Sequence, residues 1–289
     1  MTDRGSTVAV AACLSAMLAA CGKPDARIEE LPDSLLAIEQ ALPDSPIVQP
    51  AQARALLVFN LCKGFVHTSI PWVDFAIVRM GEKTGAYTAV VSSDTTMFQE
   101  ERLAQFDAVL FNNTTGELFA DPALRASLLA FVREGGGVVG LHAATDAFYE
   151  WPEFGEMMGG YFLNHPWTEE VTLRIEEPDH PITASFDASS YAVADEIYQF
   201  REPYSRDRLR VLVSLDTTRL DLEREGVQRE DRDFAVSWIR REGAGRVFYS
   251  SLGHQYEIFT DPAILRHWLA GIQYALGDLT AEDGPRPHQ

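Results

Sequence analysis

Three of the chain's seven histidines, His67, His142 and His254, each follow a run of residues that reads as a buried strand. Near neutral pH an imidazole serves as general base, general acid or metal ligand. Three of them at one edge of a sheet would therefore make a proton-transfer site. Each has polar company at its own strand end: Gly64-Phe65-Val66 before His67, Asp146 after His142, and Gln255-Tyr256-Glu257 after His254. The run Asn112-Asn113-Thr114-Thr115-Gly116 follows a further strand, and there Asn113 and Thr114 would bind ligand hydroxyls or cap a turn. Gly140-Leu141-His142-Ala143-Ala144 has the form of a nucleophile elbow, in which a strand turns sharply into a helix and projects one side chain. The projected residue is histidine. An imidazole with no base to turn it over is a poor acyl acceptor, which argues against amide hydrolysis.

The elements that must position these residues alternate. Residues 55–60 (ALLVFN) form a continuous apolar run suited to a strand buried on both faces. Pro71 opens a helix with Val73, Ile77 and Met80 on one face, and Gly85 ends it. Residues 87–91 are a second strand, 100–105 a short helix and 107–112 a third strand. Asp121 and Pro122 resemble an N-cap and first turn for a helix running to Arg133. Gly135-Gly136-Gly137 stops that helix before a fourth strand, 138–141, and opens none, so it is no phosphate loop. This order predicts an α/β fold with a mostly parallel central sheet and helices on both faces. In such sheets ligands bind beyond the carboxyl ends of the strands, where the three histidines fall. Strand-like runs at 171–175, 196–200, 210–215, 234–239 and 247–252 should pair antiparallel or extend the sheet. A final helix, 262–276, carries Ile264, Leu265, Trp268, Leu269 and Ile272 at helical spacing. Trp151 and Trp167 lie in an expected loop region and either stack on a sugar ring or fill core, whereas Trp238, inside a strand, reads as core. His180 reads as structural, in a turn.

The net charge of −19 excludes nucleic acid as a partner, because phosphate binding needs clustered Lys and Arg. At the N-terminus an apolar run, 7–20, too short to span a bilayer, ends in Leu18-Ala19-Ala20-Cys21, similar to the lipobox of bacterial lipoproteins. The expected organisation is a lipoprotein signal peptide at 1–20, with Cys21 acylated, and a tether at 21–53 that includes a short helix near 35–42. One domain at 54–278 and a tail at 279–289 follow. Such a chain is extracytoplasmic and membrane-anchored, on the outer membrane facing the periplasm if the cell is Gram-negative. Cys62 is then the only cysteine left in the domain, so no intramolecular disulfide is expected.

A set of runs in order resembles the ThuA-like (trehalose-utilisation) family. They are Gly64–His67, Asn113–Gly116, Gly135–Asp146, Gly159-Gly160-Tyr161-Phe162 with His165, Asp195-Glu196-Ile197-Tyr198, Trp238, and Gly245–Tyr249 with Leu252-Gly253-His254. The resemblance implies a class I glutamine-amidotransferase-like (flavodoxin-like) fold without the amidotransferase cysteine, whose place His142 takes. It also implies carbohydrate metabolism in which sugars are handled as 3-keto derivatives, with a sugar oxidoreductase as a partner in the same pathway. Carried over, the catalytic set is His142, His254, Glu196 and Asp146. His67, Asn113, Thr114, His165, Tyr198 and Trp151 would contact a small carbohydrate. His254 takes the place of the amidotransferase triad histidine, and Glu257 loosely echoes the triad acid. His67, His142, His165 and His254 are also the metal-ligand set if a divalent transition metal is the cofactor. Their types suit Zn, Mn or Fe, but no local His-x-x-x-His spacing marks such a site. Two functions remain: an enzyme using acid–base chemistry, metal-assisted or not, on 3-keto sugars or glycosides, and a non-catalytic carbohydrate-binding lipoprotein. The several titratable groups favour the first.

Overall fold

The computed structural model describes residues 32–186 and 188–286, so the expected signal segment and Cys21 lie outside the described residues. The chain divides into units Met1–Ala37 and Ile38–Gln289, with helix α1 (Asp33–Ala41) crossing the division. All other elements among the described residues belong to the second unit.

Its first half alternates as the apolar runs predict. Strand β1 (Ala55–Phe59) is followed by α2 (Ile70–Thr84), β2 (Thr88–Ser92), α3 (Glu100–Leu103) and β3 (Ala108–Asn112). After the two-residue β4 (Thr115–Gly116) come α4 (Pro122–Arg133), β5 (Gly137–Leu141) and the two-residue β6 (Asp146–Ala147). Local chemistry sets the helix ends. The Asp121 carboxylate accepts from the Ala123 N–H at the start of α4, and Gly85, at φ 67°, closes α2 in the left-handed region that favours glycine.

The second half comprises α5 (Pro152–Met158), the long strands β7 (Tyr161–Ile175) and β8 (Ser190–Arg201), then β9 (Arg210–Leu215), β10 (Ala235–Glu242), β11 (Gly245–Ser250) and α6 (Pro262–Ala275). One nine-stranded sheet takes the order β2-β1-β3-β5-β11-β10-β9-β7-β8. The first five strands are mutually parallel, and the remaining four continue the sheet antiparallel. The later strand runs therefore do both things expected of them.

Helices cover both faces. Alternate strand residues Leu57, Val109, Val138 and Val247 enter one apolar cluster with Leu128 and Val132 of α4 and Phe154 of α5. On the other face α6 lies so close to β11 that a Cβ at Gly271 would overlap the Phe248 ring. Burying each large apolar side chain stabilises the fold by roughly 1.5–3 kcal/mol, so this two-sided core holds the parallel strands in fixed register.

Three stretches differ from expectation. Residues 151–167, read as loop, form α5 and the first part of β7. A bulge between Asn164 and Trp167 interrupts the period-2 pattern there and hides the strand. From Ile38 onward the segment expected as tether is packed on the domain. Ile38 and Leu42 are buried, Glu39 accepts two bonds from Arg79 at 3.0 Å each, and the Gln273 side chain brackets Ile47 and Val48. The expected tail is fastened as well: Asp283 accepts from Tyr274 and Arg241, and the Arg286 N–H donates to the Leu209 carbonyl.

Candidate functional site

His142 leaves the end of β5 at φ 49°, a backbone conformation uncommon outside glycine and consistent with the elbow read from sequence. A 3-10 turn, His142–Thr145, follows where a helix was expected. The Tyr249 hydroxyl, itself 3.1 Å from Thr145 Oγ1, donates to the His142 carbonyl at 2.6 Å and holds the turn. The His142 ring is fully buried, with Nδ1 2.7 Å from the carbonyl oxygen of Ser251. A carbonyl can only accept, so Nδ1 carries a proton, and in the neutral ring Nε2 presents a lone pair. The Tyr198 hydroxyl donates to that lone pair at 2.9 Å.

His254 arrives from the end of β11 through Gly253, whose φ of 136° suits glycine alone. A Cβ on Gly253 would lie 3.3 Å from the His142 Cβ, so the missing side chain lets the two segments come together. The buried Asp195 carboxylate gathers this turn, accepting from the N–H groups of Gly253, His254 and Gln255 at 2.7, 3.1 and 2.8 Å. His254 Nδ1 then lies 3.3 Å from His142 Nε2 and 3.3 Å from Glu196 Oε2.

His67, between β1 and α2, meets the rings of His142 and His254 edge-on, with centroids 4.9 and 5.6 Å away. It is buried, and its Nδ1 has no hydrogen-bond partner. His165 sits on the β7 bulge, its Nδ1 3.5 Å from Glu196 Oε1, with 44% of its side chain exposed. The bulge inserts one extra residue opposite β8 and so turns an imidazole toward the site.

Glu196 is thus the meeting point. Oε2 faces His142 at 3.6 Å and His254 at 3.3 Å, and Oε1 faces His165. Burial works to raise its carboxyl, but His142, His254 and His165 together hold it below the ordinary carboxylate range, so it is ionised. Burial, reinforced by His142 and His254, lowers His67 to about 3. Burial also lowers His254 against the opposing pull of Glu196. Both imidazoles are neutral near pH 7. One ligand atom from each of His67, His142, Glu196 and His254 falls within 4.8 Å of the others, which makes these four the candidate metal ligands. His165 is outside that group and meets Glu196 at its other oxygen, Oε1.

Other expected site residues are placed differently. Asp146 is raised by burial, against the opposing pull of Tyr149, Arg201 and His142; it accepts from Tyr149 at 2.5 Å and is not one of the four. Asn113 and Thr114 are fully buried. Asn113, at φ 50°, donates to Asn112 Oδ1, and Thr114 Oγ1 has no hydrogen-bond partner. Trp151 packs among Phe119, Phe148 and Phe154 beneath Arg125, and offers no open face to a sugar. Trp167 and Trp238 are core. Glu257 is exposed on the 3-10 turn after His254. The structure adds Asp195, Tyr249 and the Ser251 carbonyl. Asp195 adjoins Glu196 in a run singled out from sequence, whereas a backbone carbonyl leaves no sequence signal.

The family model for ThuA, trehalose utilisation, matches residues 55–275. Among solved structures, the chain is similar to a ThuA-like protein from Bacteroides uniformis, with a TM-score of 0.61 and 21% identity over 81% of this chain and 93% of that one. A ThuA-like protein from Parabacteroides merdae gives 0.59 and 20% over 80% and 93%. At such identities the likeness speaks for the fold alone, which is class I glutamine amidotransferase-like. No curated protein matches the chain significantly. With the family match covering most of its length, the chain belongs to the ThuA family of trehalose utilisation.

Proposed function

We propose that this domain acts on oxidised sugars, removing a proton beside the ketone of a 3-keto glycoside. One observation carries the reading: an ionised carboxylate, Glu196, is shared by three imidazoles, one of them at the solvent-facing side. Family membership supports carbohydrate as the substrate class.

The outer pair is suited to proton transfer. With the Nδ1 proton of His165 directed at Glu196, its Nε2 is a base, and the half-exposed ring can reach a ligand. A carbon next to a ketone is acidified, so its C–H electrons can pass into the ketone to give an enolate. The growing oxyanion would face the neutral imidazoles of His67 and His254. From the enolate, the proton can return at a neighbouring carbon, giving isomerisation. Alternatively the C–O bond one carbon further on breaks, and the departing oxygen takes the proton held by His165. The exposed Val66 lines a groove with His67, Cys62, Thr68 and Pro71, and the exposed Phe65 ring meets His67 edge-on, an apolar border suited to a pyranose face.

Incubating the protein with a 3-keto disaccharide in deuterated water, and following the sugar by NMR, tests this directly. Deuterium should enter the carbon beside the ketone, and entry should be lost in the His142→Ala/His254→Ala double variant. Saturable binding with neither exchange nor product would make the protein a sugar binder and end the catalytic reading. We also propose extracytoplasmic placement through an acyl chain on Cys21, supported by residues 7–21. Cys21→Ser should move the protein from the membrane fraction to the soluble one.

A further inference from the structure

We infer that His67, His142, His254 and Glu196 form a binding site for one divalent transition-metal ion of the zinc type. The inference goes beyond proton transfer and does not depend on which sugar, if any, is turned over.

The first argument is spacing. His142 Nε2, His254 Nδ1 and Glu196 Oε2 form a nearly equilateral triangle with sides of 3.3, 3.3 and 3.6 Å. An ion with bonds of about 2.0–2.1 Å to four ligands sets a tetrahedron whose edges are about 3.3–3.4 Å. The three atoms are thus spaced as one face of such a tetrahedron, and His67 supplies the fourth group within 4.8 Å.

The second argument is a polar atom without an account. Hydrogen bonds could explain the contacts among His142, His254 and Glu196 with no ion present. They leave His67 Nδ1 without a partner in a residue only 6% exposed. Burying three imidazoles against one another and a carboxylate also costs free energy unless something is gained in return.

The third argument is support behind the ligands. Metal-binding histidines commonly donate their other nitrogen to a carbonyl or carboxylate, which orients the ring. His142 does so to Ser251, and Asp195 anchors the backbone of His254. Three nitrogens and one carboxylate oxygen suit zinc, cobalt, manganese or iron, and do not suit calcium or magnesium, which prefer oxygen alone. When bound, such an ion supplies a Lewis acid that polarises a ligand oxygen. His165, outside the four, stays free to move a proton.

The test uses the full chain without a histidine tag. Elemental analysis of the purified protein, then removal of metal by chelation and titration with Co²⁺ followed by visible absorption, should show one equivalent per chain. His67→Ala and His254→Ala should each raise the Kd for Co²⁺ at least about 100-fold, while His180→Gln, remote from the cluster, should not. Glu196→Gln, nearly the same shape as the native residue, should also weaken binding and guards against a variant that fails to fold. Circular dichroism checks each fold. No saturable Co²⁺ spectrum in the wild type, or an unchanged Kd in His67→Ala and His254→Ala, would overturn the assignment. Both readouts are independent of turnover, so failure of the metal site and failure of the keto-sugar reading are distinguishable.

Discussion

Asp195 and Glu196, consecutive on β8, grip His254 from two sides: Asp195 Oδ1 accepts its backbone N–H at 3.1 Å, and Glu196 Oε2 lies 3.3 Å from its ring. The first carboxylate places the loop and the second meets the imidazole that the loop carries. Asp195→Asn replaces one of the two accepting oxygens with an amide nitrogen that cannot accept from the turn. We expect a loss of about 1–3 kcal/mol in thermal or chemical denaturation. Displacement of His254 should also lower kcat on the order of 100-fold, with KM little changed.

Tyr198→Phe removes the hydroxyl that donates to His142 Nε2 while keeping the ring that packs on it. Stability should change by only about 1 kcal/mol. The His142 Nε2 lone pair, relieved of that donor, should bind added Co²⁺ at least as tightly as in the wild type. A spectroscopic titration of the two proteins side by side checks this.

His165→Ala should leave the fold intact, because the side chain is 44% exposed, and should lower turnover of a keto-sugar by roughly 10²–10⁴-fold. Glu196→Gln should cost a similar factor. If the two act as one unit, the double variant will be little worse than either single variant, which steady-state kinetics on all three can measure.

Trp151 separates packing from sugar stacking. Its indole lies between Phe148 and Phe154 in the core, so Trp151→Ala should cost about 3–5 kcal/mol. The folded fraction should keep the wild-type KM, whereas a raised KM at full folding would restore a role in sugar binding.

His267 supplies a pH dependence remote from the site. Its ring is fully buried on α6, with Nε2 2.8 Å from Ser237 Oγ and Nδ1 2.8 Å from the Ile182 carbonyl, and burial lowers it to about 4. The unfolded chain, with an ordinary histidine value near about 6.5, binds the proton first. The stability contribution is therefore complete above that value and declines as pH falls toward 4, by up to about 3 kcal/mol. Thermal melts from pH 8 to 4 should show a shallower acid decline in His267→Gln than in the wild type.

Much of the frame was legible in local sequence. The continuous apolar run at β1, the Asp121 cap, the Gly85 stop and the strand-end positions of His67, His142 and His254 depend on residues near one another along the chain. Backbone sterics and burial period act at that range, so the parallel half and its histidine-bearing edge could be read directly. The antiparallel half, the docking of residues from Ile38 onward, and the core position of Trp151 depend on which distant surfaces meet. A residue's own neighbours do not encode that. The same holds within the site. Glu196 and Tyr198, two apart on one strand, both reach His142, but His165 reaches Glu196 only because a bulge turns it. His142 has a defined tautomer only because the Ser251 carbonyl, more than a hundred residues away, lies against its Nδ1. Sequence determined which groups could do chemistry; tertiary packing decided which of them share a carboxylate, because hydrogen bonds and charges act across space and ignore distance along the chain.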